Sequence, residues 1–220
     1  MPPLRRPDAI LFDLDGTLVD TVPARIAAWL AALDEIGITA TQEQLGPMIG
    51  MDGRHLAREV AVAAGRRLTD EEAEAIDHRS GEQFDDRNRD PQRLPGAREL
   101  LRGLGERGLP WAIATSSRRE QVAVSIRALD QPDEPRIVDG THVEHAKPAP
   151  DLLLLGAREL DAVPEACWYV GDSTWDMRAA VAAGMEPIGI LAGAAVDAEA
   201  LLDAGASVVL PTLRDLELPA

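Results

Sequence analysis

Apolar positions follow two rhythms along this chain. Short continuous runs, "AILF" at 9–12, "WAIA" at 111–114, "WYVG" at 168–171, "PIGIL" at 187–191 and "SVVL" at 207–210, predict strands buried on both faces. "RIVDG" at 136–140 predicts a shorter one. Between them, "GARELLRGLGERG", "EQVAVSIRAL", "DLLLLGAREL", "DMRAAVAAG" and "DAEALLDAG" place apolar residues at helical spacing, several of them closing on a glycine. Strand and helix therefore alternate, which predicts an α/β fold of parallel βαβ units with right-handed crossovers.

The alternation is interrupted once. From Pro23 to about Asp90 there is no strand-like run. "PARIAAWLAALDEIG" and "RHLAREVAVAAG" read as helices, and Thr41 with Gln44 and Thr69 with Glu72 read as capping boxes. The polar stretch Ser80–Arg93 reads as the return of the chain. Residues 20–90 are thus expected to form an all-helical domain inserted into a core made of 1–19 and 91–220.

In a parallel sheet of this kind, ligands bind beyond the carboxyl ends of the strands. Asp13 and Asp15 follow the first run, Thr115 and Ser116 the second, and Asp172 the "WYVG" run, with Asp176 four residues on. Lys147 lies in the loop before "DLLLLGAREL". An acidic turn would explain Asp13 and Asp15 alone, but three or four acids gathered with a hydroxyl and a lysine from three strand ends and a loop call for a cation. Hard oxygen ligands point to magnesium, which commonly bridges to phosphate. Thr115 and the next backbone N–H suit phosphoryl oxygens, and Ser117 with Glu120 reads as a capping box whose helix N-terminus would aim at the same place. Together these parts favour phosphoryl transfer. One carboxylate can attack phosphorus and a neighbour can handle protons. Gly16 lets the backbone turn away.

Composition sharpens this picture. Among 22 Lys and Arg residues, Lys147 is the one lysine, a compact ammonium where arginine prevails elsewhere. The net charge of −16 argues against nucleic acid or an anionic membrane as partner. With 45% hydrophobic but 3% aromatic residues, the core should be built from Ala, Leu, Val and Ile. No apolar run approaches a membrane span, the N-terminus does not read as a secretory signal, and a single Cys167, expected buried and inert, fits a reducing cytoplasm.

"FDLDGTLVDT", "AIATSS", "AKPAPD" and "VGDSTWD" resemble, in order, the four motifs of the haloacid dehalogenase-like superfamily, and the helical insert falls where that family carries a helical cap. The resemblance implies a Rossmann-like core and a magnesium-dependent phosphatase of small phosphate monoesters, acting as a monomer or homodimer. Asp13 would be nucleophile and metal ligand. Asp15 would be the general acid/base, with its carbonyl on the metal. Thr115, Ser116 and Lys147 would hold phosphate, and Asp172 and Asp176 would complete the metal site. Arg25 and Arg54 are the expected cap residues for specificity, ahead of Asp52, His55 and Arg58. His78, His142 and His145 are expected to be solvated.

Dehalogenases of the superfamily lack an acid at the place of Asp15, and phosphonate-cleaving members replace it and use a cap lysine. The β-phosphoglucomutase branch shares "KPAPD" but has a His at the place of Arg25 and also a cap lysine, and it stands as the alternative. Phosphoglycolate and sugar phosphates are the candidate substrates. A non-catalytic binding protein on the same fold is the alternative from another class.

Overall fold

In chain order, the computed structural model places β1 at Ala9–Phe12, β2 at Val19–Asp20, α1 at Val22–Asp34, α2 at Gln42–Leu45, α3 at Gly53–Ala63 and α4 at Asp70–Arg87. There follow β3 at Gln92–Arg93, α5 at Ala97–Glu106, β4 at Trp111–Thr115, α6 at Arg119–Ala128, β5 at Ile137–Asp139 and α7 at Asp151–Glu159. The chain closes with β6 at Cys167–Gly171, α8 at Thr174–Ala183, β7 at Glu186–Ile190, α9 at Ala198–Asp203 and β8 at Val208–Leu210. The structure describes residues 4–219, without the side chains of Glu120 and His142.

Six strands form one parallel sheet in the order β5-β4-β1-β6-β7-β8, so β1 lies at its centre. Its four residues are fully buried because alternate side chains enter different cores. Ile10 and Phe12 join Ile113, Trp168, Val170 and Leu101 on one face. Ala9 and Leu11 join Ala112, Tyr169, Leu153 and Ala180 on the other. The core is mostly aliphatic, as composition implied, but its largest side chains are Phe12, Trp168 and Tyr169, and its second face is rich in alanine, which lets α7 and α8 approach closely.

Helices α1 to α4 pack on one another around Val22, Trp29, Leu33, Leu56, Val60 and Ile76, a cluster separate from both sheet faces. The chain leaves and re-enters the sheet region through β2 and β3, an antiparallel pair matching Val19 with Arg93 and Asp20 with Gln92. Both expected capping boxes form, at Thr41 with Gln44 and at Thr69 with Glu72. Among the described residues no helix is long and apolar enough to cross a membrane.

One local expectation needs correction and one is refined. The returning stretch Ser80–Arg93 is helical for its first half, because α4 runs on to Arg87. Its inward positions are Ala73, Ile76, Ser80, Gly81 and Phe84, so helical spacing holds while Ser80 and Gly81 blank the apolar signal. Helix α6 is entered through Arg118, whose N–H donates to the Gln121 side chain at 3.3 Å, rather than through Ser117. The hydroxyl of Ser117 is engaged elsewhere, and the Glu120 side chain expected to complete that box lies outside the described residues.

Candidate active site

The ends of β1, β4 and β6 meet as expected. Asp13 follows β1, and its N–H donates to Val170 of β6 at 2.8 Å, fixing where the side chain starts. Gly16 then turns the chain at φ 82°, and a Cβ there would stand 2.2 Å from Asp172 Oδ2. A glycine is needed for both reasons. Asp172 follows β6, and its Oδ1 accepts from the Thr17 hydroxyl at 2.9 Å. Ser173 caps α8 and places Asp176 in the first turn.

Lys147 ties this cluster together. Its ammonium, 2% exposed, donates to Asp13 Oδ1 at 2.6 Å and to Asp176 Oδ1 at 2.7 Å. Asp176 is saturated, because Oδ1 also accepts from the Tyr169 hydroxyl at 3.1 Å and Oδ2 from the Ser173 N–H and hydroxyl at 3.0 and 2.6 Å. Asp13 Oδ2 and Asp172 Oδ2 accept no hydrogen bond from the described residues, and both side chains line one cavity.

The charges are not balanced. Three carboxylates face one ammonium, which leaves two negative charges unmatched in a buried place. Burial is the main cause that raises Asp13 to about 7, with Asp176 and Asp15 adding to it against the pull of Lys147. Burial, then Asp176 and Asp13, push Asp172 well above the ordinary carboxylate range. Burial alone would lower Lys147, but Asp13 and Asp176 outweigh it and raise it. One oxygen each from Asp13, Asp172 and Asp176 lie within 4.8 Å of one another. A divalent cation fits this donor set in charge and in chemistry. The free oxygen of Asp172 and one oxygen of Asp13 are its natural ligands, which leaves the second Asp13 oxygen for chemistry, while saturated Asp176 is better placed to orient Lys147 and the Ser173 turn.

Asp15 faces a different set. Oδ1 accepts from the Thr21 hydroxyl at 2.6 Å, and Oδ2 accepts from Arg25 at 2.8 Å and from the Ser117 hydroxyl at 2.7 Å. Burial would raise this carboxyl, but Arg25, Thr21 and Ser117 together hold it below its ordinary value. Arg25 comes from α1, lies 3.6 Å over the Phe84 ring of α4, and also donates to Ser117 at 2.5 Å. The helical segment and the β4 loop therefore meet on Asp15.

Above this floor sits a cavity of about 90 Å³, lined by Thr115 and Ser116 from the sheet side and by Arg25, Trp29, Leu56 and Asp77 from the helical side. Thr115 Oγ1 accepts from the Ser117 N–H at 3.1 Å, and the Ser116 hydroxyl donates to Gly50 at 3.4 Å. The sequence-selected Asp13, Asp15, Thr115, Ser116, Asp172, Asp176 and Arg25 thus converge, with Lys147 beneath them. Arg54 does not reach the cavity. It is half exposed and pairs with Asp52 at 3.1 Å and Glu74 at 3.8 Å. Asp52 caps α3 through the His55 N–H, and Arg58 pairs with Asp70 on the surface. His78 and His145 are exposed beside carboxylates, as expected, and the His142 side chain lies outside the described residues. Cys167 is buried, and burial raises its thiol to about 11, which makes it unreactive.

Thr17, Thr21 and Tyr169 touch the site and were missed by sequence reasoning, which placed Ser117 there as a helix cap rather than as a donor to Asp15. Thr17 and Thr21 stand inside "DGTLVDT" and carried a signal. Asp77 and Gln121 carried none, because only tertiary packing brings them to the cavity.

Comparison with known proteins agrees with this geometry. The sequence model of the haloacid dehalogenase-like hydrolases matches residues 10–190. The chain is 33% identical to hexitol phosphatase A of Escherichia coli over 186 residues, 84% of this chain and 83% of that one. It is 30% identical to a phosphoglycolate phosphatase of Xanthomonas campestris over 196 residues, 86% of each. The crystal structure of a hydrolase from Pseudomonas syringae superposes with a TM-score of 0.89 at 34% identity, covering 94% of both chains.

Proposed function

Starting from the fact that the chain belongs to the haloacid dehalogenase-like hydrolases over residues 10–190, we propose that it hydrolyses small phosphate monoesters through a phosphoryl group carried on Asp13. The phosphatases among its relatives support a phosphatase enzyme. The observation that carries the reading is the Lys147 ammonium held between Asp13 and Asp176 beneath the cavity, with Asp172 alongside.

In the first step the free Oδ2 of Asp13 attacks phosphorus while the bond from phosphorus to the ester oxygen breaks. Lys147 orients Asp13 through its other oxygen, so the nucleophile cannot rotate away. Thr115 and the Ser116 N–H bind phosphoryl oxygens. The departing oxygen takes a proton through Asp15, which receives it from the bound monoanionic ester because the free enzyme holds Asp15 ionised. In the second step Asp15, now a carboxylate, removes a proton from water as that water attacks phosphorus, which frees Asp13 and phosphate. The contacts from Arg25, Thr21 and Ser117 hold Asp15 in the ionised form that this second step needs. Magnesium, when bound by Asp13, Asp172 and the Asp15 carbonyl, would neutralise charge on the transferred phosphoryl group. Residues 20–90 act as a cap that excludes water during transfer.

The test is magnesium-dependent phosphate release from a panel of small esters, with Asp13→Asn as control. Release from some esters and none from the variant is the expected result. No release, together with isomerisation of β-glucose 1-phosphate, would replace hydrolysis by transfer to a second sugar.

A further inference from the structure

The helical wall of the cavity is built around two polar groups that the mechanism does not use. Asp77 of α4 lines the cavity, and its Oδ2 pairs with Arg118 at 3.2 Å while Oδ1 has no hydrogen-bond partner among the described residues. Gln121 of α6 lines it too, with its oxygen spent on the Arg118 N–H and its Nε2 without a partner there. Each is seated against a glycine. A Cβ at Gly53 would stand 1.9 Å from Asp77 Oδ1, and one at Gly81 would stand 2.2 Å from Gln121 Nε2. Gly81 lies inside α4, where glycine costs about 1 kcal/mol relative to alanine, and Gly53 opens α3. Their small size leaves space for an acceptor and a donor facing the same cavity. Ser80, buried beside them, adds a hydroxyl.

The charge on this wall is negative. Besides Arg25, Asp77 is the charged group that lines the cavity from the helical side, and its partner Arg118 is shared with Glu74 outside the cavity. Arg25, the cation lining the cavity among the described residues, is matched by Asp15. A substrate with a second negative charge beyond its phosphate would meet Asp77 with no uncommitted cation to receive it. A neutral, hydroxyl-rich chain would find an acceptor in Asp77, a donor in Gln121, both in Ser80, and the apolar faces of Trp29 and Leu56 for its C–H edges.

We infer that Asp77 and Gln121 select the leaving group, favouring phosphate esters of neutral polyols or sugars and rejecting phosphorylated acids such as phosphoglycolate. The inference deepens the phosphatase reading and rests on it. A site built to hydrogen-bond hydroxyls discriminates strongly, since a wrong ligand leaves its polar groups unpaired.

The experiment compares full-length wild type, Asp77→Asn and Arg118→Gln with magnesium. Values of kcat/KM are measured for a hexitol 6-phosphate, for phosphoglycolate and for para-nitrophenyl phosphate, and calorimetry gives the affinities of the first two. Wild type should prefer the hexitol ester by about tenfold or more. Asp77→Asn should narrow that ratio, chiefly by a gain on phosphoglycolate. Arg118→Gln should widen it, because it leaves Asp77 without its counter-charge. A general loosening of the wall would instead move both variants the same way, and that outcome would overturn the inference. So would a wild type that prefers phosphoglycolate, or a ratio that ignores Asp77→Asn. If no ester, including para-nitrophenyl phosphate, is hydrolysed, the phosphatase reading fails by itself. The affinity ratios then decide the role of Asp77 by the same criteria.

Discussion

Lys147 Nζ lies 2.6 Å from Asp13 Oδ1, and both groups are buried. The same ammonium reaches Asp176, so one lysine sets the position of the nucleophile and the acid behind it. Removing one partner of a buried pair costs about 3–5 kcal/mol, because the other charge is stranded. Lys147→Met should therefore lower both kcat and thermal stability. Lys147→Arg should not restore activity, since a planar guanidinium cannot occupy the small enclosed space of an ammonium. Wild-type kcat in the arginine variant would contradict the positioning role.

Arg25 stabilises the ionised form of Asp15, whose carboxyl is held below its ordinary value against burial. Without that charge the carboxyl rises, so ionisation needs a higher pH. Ionised Asp15 is needed for hydrolysis of the phosphoryl group on Asp13, so the acidic limb of the kcat profile should move to higher pH in Arg25→Gln. An unmoved limb would mean that Asp15 is not the group titrating there.

Burial holds Asp13 at about 7, above its ordinary 3.8. A raised acid binds its proton more tightly when folded than when unfolded. Metal-free protein should thus lose stability as pH rises between those two values. Magnesium needs the carboxylate and competes with the proton, so its stabilisation grows in the same direction. The melting-temperature gain from magnesium should be larger at about pH 8 than at about pH 5. Equal gains at both would dissociate the metal from Asp13.

Gly16→Ala tests the turn between Asp13 and the helical segment. The left-handed backbone there costs an alanine about 1–2 kcal/mol, and its Cβ would also displace Asp172. Weaker magnesium binding should accompany the lower melting temperature. A loss of stability with unchanged magnesium affinity would separate Gly16 from the metal site.

The sheet and its strand-end chemistry were legible because strands covered on both faces leave continuous apolar runs, and the next residue then faces the ligand. Asp13, Thr115 and Asp172 stand out in this way. The β2–β3 pair was not legible, since two residues carry no pattern. The end of α4 was hidden by Ser80 and Gly81, whose small size serves the cavity rather than the core. Arg54 looked like a substrate contact in its Gly-rich turn, yet neighbouring Asp52 and Glu74 hold it outside the cavity. Asp77 showed the reverse, a plain helical acid whose place comes from packing between α4, α3 and α6.

The central claim is that phosphoryl passes through Asp13. Rapid-quench mixing of the magnesium-loaded enzyme with a labelled ester, followed by peptide mapping, tests it most directly. The account predicts early label on the peptide holding Asp13, labile to hydroxylamine as an acyl phosphate is, and absent in Asp13→Asn. Steady phosphate release with no labelled protein at any time, or label on another residue, would contradict it.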